Sequence, residues 1–147
     1  MKLVEVVSAK LHGIRITESA LHYHGSITID EDILRKANIR PMEFVYIWNK
    51  ASGTRISTYV LPGEKGSGVV CLNGAAARSC QVGDDVIVTL SNYVTSDEMT
   101  EAKATVLTFN HESKVNTIDE ILEYDYKSSN NDWQFQINKI YWLNGAY

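Results

Sequence analysis

The sequence predicts a mainly β fold with small helices, and three features indicate it. Short apolar or β-branched runs of strand length recur along the chain. Turn signals rich in glycine separate these runs, and helical patterns are short. The 147 residues, 44% of them hydrophobic, are enough for one compact domain and too few for two ordinary ones. We therefore expect a small β-barrel or sandwich.

The predicted strands follow one another from the N-terminus. They cover residues 3–7, 13–17, 25–29, 44–48, 55–60, 68–72, 86–91 and 105–109. Turn signals lie between several of them, at residues 51–53, 62–63 and 82–84. This spacing of short strands and turns is typical of a small β-barrel or sandwich.

Two short helices are predicted among these strands. Asp30 is placed to cap a helix over residues 31–37, because its side chain can accept from the free N–H groups of the first turn. Three apolar residues of that helix share one face: Ile33, Leu34 and Ala37. Gly74 can open a short helical turn over residues 75–79. Both helices are expected to be insertions between strands.

The tail after residue 115 combines a helical pattern with a strand pattern. Thr117 and Glu120 have the spacing of a capping box, and apolar residues follow on one helical face, so we expect a helix over about 118–125. Residues 127–132 predict a loop, and 133–137 alternate as a half-buried strand does. The aromatic content predicts docking on the domain or on a neighbouring subunit. The residues concerned are Trp133, Phe135, Tyr141 and Trp142.

The charge of the chain argues against two classes of partner. A net charge of −4, with both signs dispersed, gives no basic surface for nucleic acid or an anionic membrane. No leader pattern is present, and no apolar run approaches the ~20 residues that span a bilayer. We therefore expect a cytoplasmic protein.

Cys71 and Cys80 have no Cys or His companions at zinc spacing, which favours free thiols over a metal site, with a disulfide left open.

Several separated motifs occur in a fixed order along residues 3–115. They are Lys10-Leu11-His12, Leu21-His22-Tyr23-His24-Gly25-Ser26, Trp48-Asn49 with Gly53, Arg55-Ile56-Ser57-Thr58-Tyr59, Gly66-Ser67, Asn73-Gly74-Ala75-Ala76-Ala77 and Val82-Gly83-Asp84. A lone glycine–serine pair carries almost no information, whereas an ordered set of motifs does. On these residues the chain resembles the pyruvoyl-dependent aspartate 1-decarboxylase family.

The resemblance implies a six-stranded double-psi β-barrel over residues 1–115, with a C-terminal extension at 116–147. It implies a homotetramer with active sites at subunit boundaries. The chain would cut itself between residues 25 and 26, giving a β chain, 1–25, and an α chain, 26–147. The implied activity converts L-aspartate to β-alanine and carbon dioxide for pantothenate and coenzyme A synthesis. Whether an accessory maturation protein assists the cleavage stays open.

Ser26 is implied to be the precursor of the cofactor. Its hydroxyl attacks the carbonyl carbon of Gly25, elimination then releases residue 25 as a carboxylate, and hydrolysis leaves a covalent pyruvoyl group at position 26. Glycine suits this position because it has no Cβ and tolerates unusual backbone conformations. The resemblance makes Thr58 the chief processing residue and adds Asn73 as a second group that holds the tetrahedral intermediate. No external cofactor and no metal are expected.

Decarboxylation of an amino acid needs a sink for the electrons left on the α-carbon. The pyruvoyl ketone supplies one through a Schiff base with the substrate amine. A dicarboxylate also needs cationic clamps, for which Arg55 offers a bidentate fork and Lys10 a point charge. Which cation holds which carboxylate is left open by the sequence.

The remaining site residues are aromatic or belong to a small-residue turn. The resemblance implies that Tyr59 returns a proton to the α-carbon, a task that suits a phenol in a partly dry pocket. Tyr23 and Trp48 are equally compatible with lining the pocket and with filling the core. The backbone that follows Asn73 is implied to contact the substrate, at Gly74, Ala75 and Ala76.

The histidines do not predict a metal site. His22 and His24 alternate along a presumed strand, so their side chains would point to opposite faces. His12 and His22 match positions of the family and are expected to line or support the site, whereas no role is predicted for His111.

Two other functions stay open at this point. A β-barrel that has lost the chemistry would be a non-catalytic binding module, with the aromatic tail holding a partner. A pyruvoyl enzyme could also decarboxylate another small amino acid, which the pairing of Lys10 with Arg55 disfavours because two cations suit a dicarboxylate.

Overall fold

The computed structural model describes residues 1–22 and 26–142, and strands dominate it. The strands are β1 (Leu3–Arg15), β2 (Glu18–Ala20), β3 (Ser26–Asp30), β4 (Phe44–Asn49), β5 (Arg55–Gly63), β6 (Val70–Asn73), β7 (Asp85–Thr95), β8 (Glu101–Asn110), β9 (Thr117–Ser129) and β10 (Asp132–Trp142). The helices are α1 (Glu31–Ala37), α2 (Ser96–Met99) and a 3-10 helix (Gly74–Arg78). The mainly β prediction is confirmed. Within the described ranges, no helix has the length and apolar character needed to cross a membrane.

The described strands hydrogen-bond in the order β10-β9-β8-β1-β7-β4-β5-β3-β6-β2. Most neighbours are antiparallel, whereas β1 with β8, β2 with β6 and β3 with β5 are parallel. Parallel neighbours need long connections, so these pairs bring together residues that are distant in sequence. The runs predicted separately at 3–7 and 13–17 lie largely in one strand, β1. The six-stranded double-psi topology stays a prediction of the resemblance.

One face of this sheet forms the hydrophobic core. Successive side chains of a strand point to opposite faces, so a buried residue at every second position identifies the core side. The other side of the same strands is called the outer face below. The core side is marked by the buried residues Ala9, Leu11, Ile27, Ile29, Val45, Ile47, Val60, Val86 and Val88.

The prediction of α1 is confirmed in its bounds and in its cap. The Asp30 carboxylate accepts from the N–H of Asp32 at 2.8 Å, and also from the N–H groups of Gly66 and Gly68 at 3.0 and 2.8 Å. One buried carboxylate therefore joins the helix to the loop before β6. The helix ends at Asn38, whose φ of 56° is left-handed. The predicted apolar face is buried, at Ile33, Leu34 and Ala37.

The helix predicted over 118–125 is wrong, because these residues lie in β9. The capping-box spacing of Thr117 and Glu120 is local, but the N–H of Glu120 instead donates to the Thr108 hydroxyl of β8 at 3.1 Å. Pairing with the edge of β8 satisfies the backbone of this segment along its length. A complete capping box occurs elsewhere, where Thr95 and Glu98 begin α2.

The tail forms a hairpin of β9 and β10. Asn130 and Asn131 have φ values of 49° and 63°, which is the left-handed pair that a tight hairpin turn requires. The loop predicted over 127–132 shrinks to this turn, and the strand predicted over 133–137 is confirmed within β10. The hairpin docks on the domain through the β8–β9 ladder. Trp133 and Phe135 of β10 nevertheless remain 77% and 61% exposed.

Candidate active site

Ser26 begins β3 and is completely buried. In the antiparallel ladder with β6 it lies opposite Asn73, and Thr28 lies opposite Cys71. The side-chain amide of Asn73 donates to the Ser26 hydroxyl at 3.0 Å and to the Thr28 hydroxyl at 3.1 Å. The Cys71 thiol donates to the oxygen of the same amide at 3.3 Å. These four side chains form one hydrogen-bonded group, called the Ser26 cluster below.

The backbone of Ser26 is strained. Its φ of 141° is a conformation that residues with a Cβ rarely adopt. Such a conformation costs about 1–3 kcal/mol and persists only where the surrounding structure enforces it. Sequence reasoning assigns the unusual conformation to Gly25, which lies outside the described residues. The structure places strain on the serine itself.

A sharp turn follows the cluster at the end of β6. Gly74 is buried with a φ of 65°, and it opens the 3-10 helix. Asn73 occupies the cap position of that helix, yet its side chain makes no capping hydrogen bond because it is directed to Ser26. Ala75 is exposed and Ala76 is half-buried. The small residues selected from the sequence therefore continue directly from the cluster.

Tyr59 of β5 is the neighbour of Ser26 on the outer face. The parallel ladder between β3 and β5 begins where Ile27 meets Val60. Ser26 and Tyr59 each precede these residues by one position, so their side chains share the face opposite to the buried Val60. The Tyr59 ring is half-buried and lies 6.2 Å from the ring of Phe44, centroid to centroid. A phenol is thus placed beside the candidate nucleophile.

Thr58 lies on the other face of β5. It pairs with Val45 of β4, which is buried in the core. Alternation along the strand therefore directs Thr58 away from Tyr59 and toward the core side, where Ile56 also packs. The predicted role of Thr58 in processing stays a prediction.

Arg55 is the first residue of β5 and precedes Tyr59 by four positions. Its guanidinium carbon is 4.8 Å from the centroid of the Trp48 ring, which is a cation–π contact. The Trp48 ring in turn stacks with Tyr46 at 6.5 Å. An open cavity of about 650 Å³ on the outer face is lined by these three side chains. A guanidinium fork held over an aromatic ring in a cavity suits a small carboxylate.

The wall of the cavity formed by β1 and β7 is acidic and polar. The hydroxyls of Ser91 and Tyr46 donate to the Glu5 carboxylate at 2.6 and 2.9 Å. Both hydrogen bonds lower the pKa of Glu5 below its ordinary value, and the one from Ser91 has the larger effect. Thr89 also lines the cavity, and its buried hydroxyl has no partner among the residues that the structure describes. Anion binding in this cavity is therefore favoured at its Arg55 end.

Lys10 and His12 lie on the outer face of β1. Lys10 is half-buried and pairs with Thr89 of β7 and Val106 of β8. Burial is the main cause that lowers the pKa of His12, and the positive charges of Lys10 and Lys50 lower it further. The Nδ1 atom of His12 is buried without a partner in the described part of the chain. These effects favour the neutral form of the His12 imidazole.

The family model described as aspartate decarboxylase matches residues 1–116. The chain belongs to this family. An aspartate 1-decarboxylase from Rhodospirillum centenum is 54% identical over 123 residues, which cover 84% of this chain and 79% of that protein. Aspartate 1-decarboxylase 2 from Mesorhizobium japonicum is 53% identical over 111 residues, covering 76% of this chain and 74% of that protein.

A third aspartate decarboxylase extends the similarity into the tail. The protein from Paramagnetospirillum magneticum is 47% identical over 137 residues, which cover 92% of this chain and 74% of that protein. This span is longer than the 116 residues matched by the family model, so part of the C-terminal hairpin has a counterpart in that relative.

The family's motif residues separate into two groups in this chain. Ser26, Asn73, Gly74 and Tyr59 lie around the start of β3 and its neighbouring strands, whereas Arg55 with Trp48 lies at the start of β5. His22 is exposed in a turn. Three residues of the same motifs lie outside the described residues: Tyr23, His24 and Gly25.

Sequence reasoning within the aspartate decarboxylase motifs does not select Cys71 or Thr28, although both contact Asn73. A signal for them exists, because Thr28 is two residues from Ser26 and Cys71 is two residues from Asn73, so each pair shares a face of its strand. That signal becomes useful only when the pairing of β3 with β6 is known.

The other cysteine and histidine side chains have structural surroundings. Cys71 and Cys80 are both free and buried, and burial raises the pKa of each thiol. His111 accepts from the N–H of Asn116 at Nδ1, at 3.1 Å, and its Nε2 lies 3.2 Å from the carbonyl oxygen of Gly13. Residues 1–22 and 26–142 contain no group of three or more His, Cys, Asp or Glu arranged to hold a metal ion.

Proposed function

We propose that this chain is an L-aspartate 1-decarboxylase that cuts itself between Gly25 and Ser26 and makes its reactive group from Ser26. The Ser26 cluster is the observation that carries the proposal, because it combines a buried hydroxyl, a strained backbone and a donor directed at that hydroxyl. Membership of the aspartate decarboxylase family supports the choice of substrate. The product, β-alanine, would serve pantothenate and coenzyme A synthesis.

The proposed cleavage begins with attack of the Ser26 Oγ atom on the carbonyl carbon of Gly25. The Oγ–C bond forms, the C–N bond between the two residues breaks, and the hydroxyl proton moves to the nitrogen of residue 26. This shift to an ester is uphill, but it frees the φ torsion of Ser26 and so releases the ~1–3 kcal/mol held there. Elimination across the Cα–Cβ bond then releases residue 25 as a carboxylate, and hydrolysis of the product frees ammonia.

The surroundings of Ser26 fit a small carbonyl group in its place. Asn73 and Thr28 offer polar hydrogen-bonding groups within 3.1 Å of each other, and the position is shielded from water. When formed, a pyruvoyl group supplies the sink for the electrons that remain when carbon dioxide leaves the substrate. Tyr59, which shares the outer face with residue 26, would return the proton to the α-carbon. The backbone of residues 74–76 would border the substrate.

Arg55 is proposed to bind a substrate carboxylate. Its side chain is exposed to the cavity, and its contact with Trp48 fixes the direction of the guanidinium. Lys10 adds a second positive charge on the same face. Glu5 repels a carboxylate that enters from the other side, which favours one orientation of a dicarboxylate.

The two parts of the proposed site are far apart within one chain. Arg55 precedes Tyr59 by four positions on β5, which corresponds to about 13 Å along a strand. A neighbouring subunit that brings its own Arg55 toward this Ser26 would shorten that distance. The separation supports active sites at subunit boundaries, and the proposed assembly is a homotetramer.

The proposal is tested by the intact mass of the purified full-length chain under denaturing conditions, before and after warming. We expect fragments 1–25 and 26–147, together with β-alanine formation from L-aspartate. Ser26→Ala should remain one chain and form no β-alanine, because the nucleophile and the precursor of the electrophile are both lost. Ser52→Ala, which changes an exposed loop serine, is the matched control and should behave as wild type.

Other outcomes would redirect the proposal. A Ser26→Ala chain that is cut and active would contradict it directly. A wild-type chain that stays intact, even in a lysate that supplies an accessory maturation protein, would favour a non-catalytic binding module. A chain that is cut but ignores aspartate and accepts another small amino acid would change the substrate alone.

A further inference from the structure

The side-chain amide of Asn73 can face Ser26 in two orientations, with either its nitrogen or its oxygen toward the hydroxyl. We propose that Cys71 and Thr28 are positioning residues for this amide: Cys71 holds its nitrogen toward Ser26, Thr28 fixes its plane, and together they set the rate of chain cleavage. This inference rests on the proposed function and adds two residues to the machinery of cleavage.

Every hydrogen-bonding group of the Asn73 amide is used in the observed orientation. The oxygen accepts from the Cys71 thiol at 3.3 Å, and the nitrogen donates to the hydroxyls of Ser26 and Thr28 at 3.0 and 3.1 Å. Cys71, Asn73 and Ser26 are all buried, so water does not compete for these groups. A buried amide with all of its partners in place has one preferred orientation.

Cys71 distinguishes the two orientations because a thiol is a donor and a poor acceptor. A reversed amide would turn two N–H groups toward the sulfur atom and leave them weakly satisfied. Burial is the main cause that raises the pKa of Cys71, and the negative charge of Glu18 raises it further. The thiol therefore stays protonated near neutral pH. Thr28 accepts the second N–H of Asn73 and so fixes the plane of the amide, whereas its hydroxyl can donate as well as accept and leaves the choice of orientation to Cys71.

The orientation matters because of the fate of the Ser26 proton. During cleavage this proton must move to the nitrogen of residue 26 as the C–N bond breaks. An N–H of Asn73 directed at Oγ positions the oxygen and leaves its proton free to move. A reversed amide would instead accept that proton in a hydrogen bond and hold it away from the nitrogen. Cys71 and Thr28 therefore act on the reaction through Asn73.

The experiment compares cleavage rates of full-length variants, followed by intact mass from the first appearance of fragments 1–25 and 26–147. Cys71→Ala removes the donor to the amide oxygen, and Thr28→Val removes the second acceptor without much change of shape. Each variant should cleave about tenfold more slowly, which is the effect on a rate of losing one ordinary hydrogen bond.

Two further variants separate positioning from packing. Cys71→Ser keeps a donor at the same place and should cleave at close to the wild-type rate, whereas a residue that merely fills space would show no such rescue. Cys80→Ala is the matched control, because Cys80 is also a free buried thiol but lies beside Asn49 and Asp84. It should cleave as wild type does.

The outcomes are distinguishable from those that test the proposed function. Wild-type rates in both Cys71→Ala and Thr28→Val, or a Cys71→Ser chain as slow as Cys71→Ala, would overturn this inference alone. An uncut wild-type chain would overturn the proposed function and the inference with it. If Cys71→Ala does not fold, slow cleavage by Thr28→Val together with normal cleavage by Cys71→Ser supports the inference, and any other result for that pair overturns it.

Discussion

The Ser26 cluster and the C-terminal hairpin depart from the usual distribution of side chains in opposite ways. The cluster places polar groups in a buried site, whereas β10 leaves Trp133 and Phe135 largely exposed. Buried polar groups are costly unless they are paired, and the four residues of the cluster pair with one another. Exposed aromatic side chains cost little singly. The comparison teaches that the proposed chemistry is marked by the buried, paired polar groups of the Ser26 cluster and not by the exposed aromatic residues of β10.

The largest effect on cleavage is expected from Asn73→Ala, which removes the centre of the Ser26 cluster. Three polar neighbours lose a partner in a buried site, so the free energy of unfolding should fall by about 1–3 kcal/mol. Cleavage should slow by about 100-fold or more because a positioned donor is lost. Denaturant unfolding measures the first effect, and the intact-mass time course measures the second.

Asn49→Ala is the matched control for that variant. Asn49 is also buried, and its amide donates to the Asp84 carboxylate at 2.8 Å and to the Ser79 carbonyl at 3.1 Å. It should lose a similar amount of stability and keep the wild-type cleavage rate. Equally slow cleavage in both variants would show that the cleavage rate depends only on stability. This result would contradict a specific role of the Ser26 cluster in cleavage.

A loss of stability without slower cleavage is expected from ending the chain after Asn116, which removes the whole hairpin. Ile118 and Ile121 pack against the core, so their loss should lower the free energy of unfolding by about 2–4 kcal/mol. Asn116 is retained because its amide bridges Arg15 and Gly68. Cleavage should be unchanged, because β8 and β3 are separated by several strands in the sheet. Thermal unfolding and intact mass provide the two measurements.

Ending the chain after Ser129 is the control for that deletion. It removes β10 and keeps β9 on the edge of β8, so the loss of stability should be clearly smaller than for the longer deletion. Slow cleavage in either truncated chain would contradict the separation of the two regions and would give the hairpin a role in the chemistry.

The smallest effect is expected from Trp133→Ser. An exposed side chain of the isolated chain contributes little, so stability should change by no more than about 0.5 kcal/mol. Leu107→Ser, at a fully buried position of the same sheet, should cost several times as much. A large, concentration-dependent loss for Trp133→Ser in thermal unfolding would show that another subunit covers this residue in solution.

Local patterns predicted the strands and α1 because the determinants of those elements are local. Asp30 caps α1 from the adjacent position, and alternation within a strand is a property of the strand itself. The helix expected at 118–125 failed for the opposite reason. Thr117 and Glu120 have helical spacing, but a partner strand some ten residues earlier satisfies their backbone, and only the folded chain brings that strand into place.

The site divides in the same way. The motifs selected Ser26, Asn73 and Tyr59, and the sheet brings these residues together. The contacts of Asn73 with Ser26 and Thr28, and the core-side position of Thr58, depend on the register between strands. A shift of one residue would reverse both, and no spacing along a single strand reports the register of its partner.

The position of β1 determines what the proposed cut would do to the molecule as a whole. β1 belongs to the smaller fragment, and it is held between β7, which it pairs with from Leu3 to Arg15, and β8. Cutting after residue 25 would therefore sever the polypeptide without releasing that piece. The mature molecule would be two fragments of one chain held together by the backbone hydrogen bonds of β1 with β7 and β8. Recovery from denaturant would then require an encounter between two molecules and would depend on concentration, whereas the uncut chain would recover alone. Maturation would thus turn refolding from a reaction of one molecule into an association of two.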